Sequence, residues 1–322
     1  MHAEASGASR IDAVIDGRPL TGFQIWTIVL CGLVALVDGF DTQSIAFVAP
    51  VIAKAWSVEV YAFGQVFGAG LLGLTIGSLA FGPIADRVGR KPVIVISVLI
   101  FGLGSLATIL VGNINELILC RLLTGIGLGG AMPNIIALTA EYAPKRIRAF
   151  VVTAMYCGFP IGAVIGGLVS AWAIPAVGWH SIFIAGGILP LLLVPLLMVA
   201  LPESIRFLAS RRQREAEAIR LLSRIDPDSR IDLSTVTPAN DPAIKARAGM
   251  LQLFQRGFAL ATVLTWTAFF CNLLIMYFLI NWLPSVLQRA GLPLEKAIIA
   301  TVLLNAGGVI GGLMFSWLID RF

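Results

Sequence analysis

Charged residues are scarce in this chain. Only 13% of its 322 residues are Asp, Glu, Lys or Arg, whereas 58% are hydrophobic. An ordinary soluble domain carries about a quarter charged residues. The composition therefore excludes that class of protein.

The side chains of common catalytic and metal sites are scarce as well. The chain has two histidines and four cysteines, and the cysteines stand singly in apolar runs: Cys31, Cys120, Cys157 and Cys271. Their spacing fits neither a metal site nor a disulfide framework. No Gly-rich phosphate loop, nucleophile elbow or zinc signature is present. We therefore expect no metal site, no cofactor and no enzymatic activity.

Long apolar runs are abundant. A helix needs about 20 apolar residues to cross a hydrocarbon core of about 30 Å. Eight runs approach or exceed that length, at 23–49, 60–83, 92–112, 115–140, 148–172, 180–201, 257–284 and 294–319. The predicted fold class is an all-α polytopic membrane protein. Residues 1–22 carry Asp12 and Asp16, and no small-residue cleavage site follows the first run, so we expect the first span to be retained.

The distribution of Lys and Arg predicts the orientation. Of the 23 basic residues, only Lys54, Arg289 and Lys296 lie outside if the amino terminus is inside, and Arg121 lies within a span. Basic loops stay in the cytoplasm. Both termini of this chain are therefore expected to be cytoplasmic, in a multi-pass protein of the cytoplasmic (inner) membrane. The same bias explains the net charge of +5 and gives no reason to expect a nucleic-acid partner.

The spans fall into two groups. The predicted divisions are a cytoplasmic tail, a six-helix bundle, a cytoplasmic central loop and a partial second bundle of two helices, at 1–22, 23–201, 202–256 and 257–322. The start of the central loop has Ile205, Leu208, Ala209, Ile219 and Leu222 near helical spacing, which predicts a basic amphipathic helix at the inner interface. Residues 226–243 are predicted to be a linker.

An internal repeat connects the second and eighth spans. Both contain G-x-x-x-G, an apolar stretch and D-R, so that Gly73, Gly77, Asp86 and Arg87 correspond to Gly307, Gly311, Asp320 and Arg321. By this equivalence the seventh span is the counterpart of the first. We therefore expect a twelve-span protein of which this chain is a C-terminally truncated part.

Several motifs resemble those of the major facilitator superfamily. G-P-I-A-D-R-V-G-R-K at 82–91 resembles its inter-helix signature, and R-L-L-T-G-I-G-L-G at 121–129 resembles its fourth-helix signature. Four further pieces are similar to the aromatic acid:proton symporters, which transport compounds such as 4-hydroxybenzoate and protocatechuate. They are D-G-F-D from Asp38, G-A-M-P-N with E-Y-A-P-K-R-I-R around the fourth span, P-E-S from Pro202, and N-W-L-P from Asn281.

The resemblance implies a function. It implies proton-coupled uptake of an aromatic carboxylate, such as a hydroxybenzoate, by alternating access between two bundles. The proton gradient would supply the energy, with no cofactor, and the protein would be monomeric in the bilayer. One alternative is another organic-anion transporter or a drug exporter, although Ala163 stands where the antiporter signature of the fifth span has proline. Another is a transport-dead fragment.

Two carboxylates in the first span are the candidate proton carriers. Asp38 and Asp41 are three residues apart, so a helix places both on one face. Charges in hydrocarbon normally face a partner or an aqueous cavity. Arg121, at a similar depth in the fourth span, is the natural counter-ion and could exchange an aspartate for an anionic substrate. The alternatives are that one aspartate has only a structural role, or that Arg121 forms a fixed ion pair, for which Glu116 is one candidate partner.

Other polar and aromatic residues within the spans are candidates for the substrate site. An aromatic acid needs flat apolar walls and a few hydrogen-bonding groups. The candidates are Asn134, Tyr156, Asn272, Tyr277 and Asn281, with Trp266, Phe269 and Phe270 as walls. The first span departs from the family pattern at Gln43, Ser44 and Ala46. The outer part of this span is therefore expected to differ from the family in its effect on substrate choice.

The inter-helix signature implies a cytoplasmic gate. In the superfamily, its aspartate takes part in charge contacts that hold the cytoplasmic face closed. The residues expected to contribute are Gly82, Asp86, Arg87, Gly89, Arg90, Lys91, Glu141, Arg146, Arg148, Asp320 and Arg321.

Overall fold

The computed structural model describes residues 7–227 and 259–321. The α-helices in this part of the chain are α1 (Gly7–Asp16), α2 (Gly22–Ala55), α3 (Phe63–Val88), α4 (Arg90–Ala107), α5 (Ile114–Tyr142), α6 (Arg148–Tyr156), α7 (Gly158–Val177), α8 (His180–Ala200), α9 (Ile205–Ala209), α10 (Glu215–Ile225), α11 (Ala259–Arg289) and α12 (Leu294–Arg321). Short 3₁₀ helices lie at Val60–Ala62, Thr108–Leu110, Lys145–Ile147 and Arg212–Arg214.

Eight helical segments within the described ranges are long and apolar enough to cross a membrane. They are α2, α3, α4, α5, α6 with α7, α8, α11 and α12, each with any adjoining 3₁₀ turn. The expected all-α polytopic fold is confirmed. The predicted linker at 226–243 lies outside the described residues from position 228 onwards, as do residues 1–6 of the predicted tail.

The fifth span differs from the single helix expected at 148–172. It consists of α6 and α7, which meet at a turn at Cys157. Pro160, three residues further on, has no N–H to donate to the carbonyl of Tyr156. The span therefore lacks one helical hydrogen bond next to the turn that separates α6 from α7.

Close helix pairs form the bundle of α2 to α8. The most extensive contacts join α3 to α5, α2 to α7, and α4 to both α5 and α8. At Gly73 in α3, an added Cβ would overlap the backbone carbonyl of Leu122 in α5, and at Gly125 it would overlap that of Gly70. Only glycine permits this approach, so the G-x-x-x-G pattern serves helix packing.

The two repeat copies are packed differently. Gly73 and Gly77 of α3 press against the backbone of α5. Their counterparts in α12, Gly307 and Gly311, have no atom of the described residues within 4 Å of the position that a Cβ would occupy. Instead, α12 packs mainly on α7, and α11 packs on α2 and α12.

The start of the central loop forms two short helices, α9 and α10, rather than one. Ile205, Leu208 and Leu222 are buried, whereas Ile219 is exposed. Their apolar faces join one hydrophobic core with α1 and the adjoining ends of the bundle helices. These helices are therefore docked on the protein, and α1, α9 and α10 together form a plate over one end of the bundle.

Candidate functional site

The two aspartates of α2 and the arginine of α5 lie deep in the bundle. Asp38, Asp41 and Arg121 are all buried, with at most 4% of the side chain exposed. Arg121 Nη1 lies 3.4 Å from Asp41 Oδ2, which places the two groups in an ion pair. A charge at this depth needs such a partner, because removing it from water is costly.

Other groups hold the guanidinium of Arg121 in place. Its Nη2 donates a hydrogen bond of 2.6 Å to Thr108 Oγ1. The ring of Phe183 lies beneath it, with 5.1 Å between the guanidinium carbon and the ring centroid. Glu116 instead accepts a hydrogen bond from the backbone of Gly112. The alternative of a fixed Arg121–Glu116 pair therefore does not match this structure.

Asp38 has a different environment. Its Oδ1 accepts a hydrogen bond of 3.1 Å from Thr42 Oγ1, one turn further along α2. Asp38 Oδ2 and Asp41 Oδ1 are buried without a hydrogen-bond partner among the described residues. Two buried carboxyl groups thus stand against one arginine, which pairs with Asp41, and the total charge of the three groups is balanced only when one carboxyl group holds a proton.

A small cavity opens beside the ion pair. Its volume is about 50 Å³, and its polar lining comes from Asp41, Thr42, Arg121, Tyr277 and Asn281, with Thr124. Apolar and glycine residues complete the wall: Ile45, Val66, Phe67, Gly70, Leu71, Leu74, Gly125 and Leu128. The cavity combines a buried cation with apolar walls and lies between α2, α3, α5 and α11.

The structure brings together only some of the predicted substrate residues. Tyr277 and Asn281 of α11 line the cavity. Asn134 is buried but donates its amide to the carbonyl of Gly130 in its own helix. Tyr156 lies outside the lining and is 46% exposed, with its ring stacked on Phe159. Asn272 and the three predicted aromatic walls are exposed along α11: Trp266, Phe269 and Phe270.

Part of the predicted gate forms one partly buried network. Arg90 Nη2 lies 2.9 Å from Glu141 Oε1, which joins the start of α4 to the end of α5. Glu203 Oε1 accepts hydrogen bonds from the backbone N–H groups of Arg90 and Lys91, at 2.8 and 3.1 Å. Glu203 thus caps the amino terminus of α4. Ser204 completes the network by donating to Glu141.

The other predicted gate residues lie around this network. Asp86 and Arg87 are exposed at the end of α3, and the carbonyl of Arg87 accepts a hydrogen bond from Arg211. Arg146 donates to the carbonyl of Arg18, and Arg148 to that of Ala143. Gly82 has open space around it. The side chains of Asp320 and Arg321 lie outside what the structure describes.

Sequence reasoning missed several residues of the site. Thr42 could have been found, because it lies four residues after Asp38 on the same helical face. Thr108 and Phe183 come from the 3₁₀ extension of α4 and from α8, and no local pattern connects either residue to Arg121. Glu203 belongs to the P-E-S motif, but nothing in that motif assigns it to the gate.

Comparison with known proteins establishes the family. The family model of the Major Facilitator Superfamily matches residues 31–322. The chain belongs to this superfamily. It is accordingly a multi-pass membrane transporter and not an enzyme, as expected.

Its relatives include named transporters of aromatic acids. The chain is 43% identical over 307 residues to the gallate transporter of Pseudomonas putida, covering 95% of this chain and 68% of that one. It is 41% identical over 325 residues to the 4-hydroxybenzoate transporter PcaK of Acinetobacter baylyi, covering 99% of this chain and 70% of that one. The resemblance to aromatic-acid transporters is confirmed.

Solved structures agree on the fold of this transporter. It superposes on the xylose transporter XylE from E. coli, in a partially occluded inward open conformation, with a TM-score of 0.70. The sequence identity is 19%, and the match covers 94% of this chain and 72% of that one. At this identity the likeness establishes the fold alone.

Proposed function

We propose that this transporter carries out proton-coupled uptake of aromatic carboxylates, such as hydroxybenzoates, by alternating access. The observation that carries the proposal is the buried Asp41–Arg121 pair at the edge of an apolar-walled cavity. A buried guanidinium needs an anion beside it, and a substrate carboxylate has the same geometry as an aspartate. The names of the relatives support an aromatic acid as that anion.

The charge balance of the site suggests how the proton is coupled. Arg121 neutralises one carboxylate, while Asp38 and Asp41 together offer two. We infer that a proton on Asp41 releases Arg121 to the incoming substrate, and that loss of the proton returns Arg121 to Asp41. Asp38 is the second proton site. Transport is then driven by the proton gradient, without a cofactor.

Substrate entry requires the cavity to widen. Its volume of about 50 Å³ is well below the 300 Å³ at the lower end of typical small-molecule sites. Alternating access supplies the widening, since one bundle rocks against the other. Tyr277 and Asn281 lie on α11, so movement of that helix would reshape the cavity. We propose that the protein works as a monomer in the cytoplasmic membrane, with the plate of α1, α9 and α10 facing the cytoplasm.

Uptake by proteoliposomes tests this proposal. Purified protein is reconstituted, and radiolabelled 4-hydroxybenzoate, gallate and benzoate are supplied outside under an inward proton gradient. We expect accumulation of at least one acid and its loss when a protonophore is added. Asp41→Asn should lose gradient-driven accumulation, whereas Glu59→Gln, at an exposed carboxylate outside the cavity lining, should not. Accumulation that survives the protonophore would disprove coupling, and no uptake of any aromatic acid by folded protein would contradict the proposed function and match the alternative of a transport-dead fragment.

A further inference from the structure

A second cavity lies where the bundle meets the plate. Its volume is about 370 Å³. Its walls come from the start of α2 and of α4, the end of α8 with the loop that follows, and the helix α10 with the 3₁₀ turn before it. It is separate from the candidate substrate site, whose lining shares no residue with it.

Three cations and two carboxylates line this cavity. Both carboxylates are already engaged: Glu203 accepts backbone hydrogen bonds at the start of α4, and Glu217 pairs with Arg214 at 2.9 Å. Lys91 and Arg224 have no ion-pair partner within residues 7–227 and 259–321. Arg224 only stacks over the ring of Phe23, with 5.4 Å between its guanidinium carbon and the centroid. The two lining side chains whose charge is not engaged in an ion pair or a hydrogen bond of the described residues are therefore both positive.

The position of the cavity relative to the spans points to lipid. It lies at the end of α8, the last residues of a membrane-length helix. Val199 in its wall is 88% exposed. Leu196 and Leu192 are also exposed and precede it at helical spacing, so an apolar stripe runs from the cavity down the span. An anionic group in the cavity would thus have its apolar chain beside this stripe.

We propose that this cavity binds the headgroup of an anionic glycerophospholipid, with the phosphate between Lys91 and Arg224 and an acyl chain along α8. Hydrogen bonds from charged donors to phosphate are strong, and basic pockets at the cytoplasmic ends of membrane helices suit such headgroups. Lys91 belongs to α4 and Arg224 to α10. The bound lipid therefore joins the bundle to the central-loop helices and stabilises their docking.

Lipid binding to the purified full chain tests this proposal. The probes are phosphatidylglycerol, phosphatidylethanolamine and inorganic phosphate, followed by native mass spectrometry and by the melting temperature in a neutral detergent. We expect phosphatidylglycerol adducts and a raised melting temperature, with weaker effects of the zwitterionic lipid and none of phosphate. The variant Lys91→Gln/Arg224→Gln should bind phosphatidylglycerol at least about tenfold more weakly, which corresponds to about 1.4 kcal/mol or more.

The control Arg220→Gln/Arg289→Gln removes the same charge from positions outside the cavity lining and should bind like the wild type. An equal loss in both variants would show that net charge alone attracts the lipid, and equal binding of phosphatidylethanolamine would remove the anionic preference. Either result overturns the proposal, as does competition by phosphate alone.

If the cavity variant fails to fold, crosslinking of a photoreactive phosphatidylglycerol to the wild-type protein tests the site instead. Crosslinks to 199–203 or 214–224 support the site, and crosslinks only elsewhere overturn it.

Discussion

Two nitrogens of the Arg121 guanidinium contact different partners. One nitrogen faces Asp41 and the other donates to Thr108. A lysine would keep the charge, but its single ammonium nitrogen lacks the planar pair of donors with which the guanidinium makes both contacts. Loss of one charge-assisted hydrogen bond is worth about 1.5–3 kcal/mol.

Arg121→Lys should therefore reduce the initial rate of aromatic-acid uptake by about ten- to a hundredfold. The measurement is uptake at matched protein levels in proteoliposomes. Thr108→Val removes the supporting acceptor and the hydrogen bond that Thr108 donates to the carbonyl of Gly104, but it leaves the guanidinium in place and should have the smaller effect. Wild-type uptake by Arg121→Lys would show that charge alone suffices at this position.

Two features restrict position 89 to glycine. Its φ is +106°, a region that disfavours residues with a Cβ. A Cβ there would also overlap the carboxylate of Glu203, which caps α4. We expect Gly89→Ala to lower the free energy of unfolding by about 1–3 kcal/mol, from strain and a disturbed cap.

Thermal unfolding in detergent checks the effect at Gly89. Gly82→Ala is the matched control, because Gly82 belongs to the same motif, lies inside α3 and has open space at its Cβ position. It should be neutral or slightly stabilising, as alanine favours a helix interior. Equal destabilisation by both substitutions would refute the interpretation.

Among the helices, α2 and α11 share an unusual hydrogen bond. Pro284 in α11 has no N–H, so it cannot donate to the carbonyl of Ile280 one turn earlier. Gln43 of α2 donates its Nε2 to that carbonyl at 2.8 Å. Gln43, where we expect a departure from the family pattern, thus satisfies a backbone group that a proline leaves free in α11.

Gln43→Leu should leave the buried carbonyl of Ile280 unsatisfied, at a cost of about 1–3 kcal/mol. Pro284→Ala supplies the missing N–H within α11. The double variant Gln43→Leu/Pro284→Ala should therefore recover most of the stability lost in Gln43→Leu. The melting temperatures of the four proteins form a double-mutant cycle. Purely additive effects would contradict the proposed link between α2 and α11.

Across the whole molecule, α1 connects the bundle to the central-loop helices. Asp12 pairs with Lys145, in the turn after α5, at 3.2 Å and with Arg206 of α9 at 2.9 Å. Ile11 and Ile15 are buried in the core on the same side. Partial burial alone would raise the pKa of Asp12, but the hydrogen bonds and charges of Lys145 and Arg206 outweigh it, so the pKa is lowered.

A carboxyl group with a lowered pKa stabilises the docked state only while it is charged. Its contribution is complete above the unfolded-state pKa of about 3.9 and is lost as the pH falls from there through the lower pKa of the folded protein. Asp12→Asn should therefore loosen α1 at neutral pH, seen as faster amide hydrogen exchange over 7–16. In the wild type, exchange corrected for its intrinsic pH dependence should increase only at acidic pH. Unchanged exchange in Asp12→Asn would mean that Ile11 and Ile15 suffice to hold the helix.

Hydropathy was enough to predict the spans and the fold class. A stretch of about 20 apolar residues has few folded alternatives to a membrane helix, because backbone polar groups in lipid must be satisfied within the segment. In the sequence, the G-x-x-x-G pattern indicated only an internal repeat, and its role in the close packing of α3 on α5 is a finding of the structure. The break at Cys157 was missed, although Pro160 was visible in the sequence.

The site could be predicted only in part. Asp38, Asp41 and Arg121 stand out because charges are rare within spans, and that rarity is a property of the sequence. The groups that hold Arg121 do not stand out in this way: Thr108 lies in the 3₁₀ turn after α4, and Phe183 lies in α8. Tyr156 and Asn272 have suitable chemistry but are not among the residues that line the cavity. Composition and periodicity thus establish which helices form and which charges they carry, whereas packing between distant helices selects which side chains meet, because that depends on contacts no local pattern encodes.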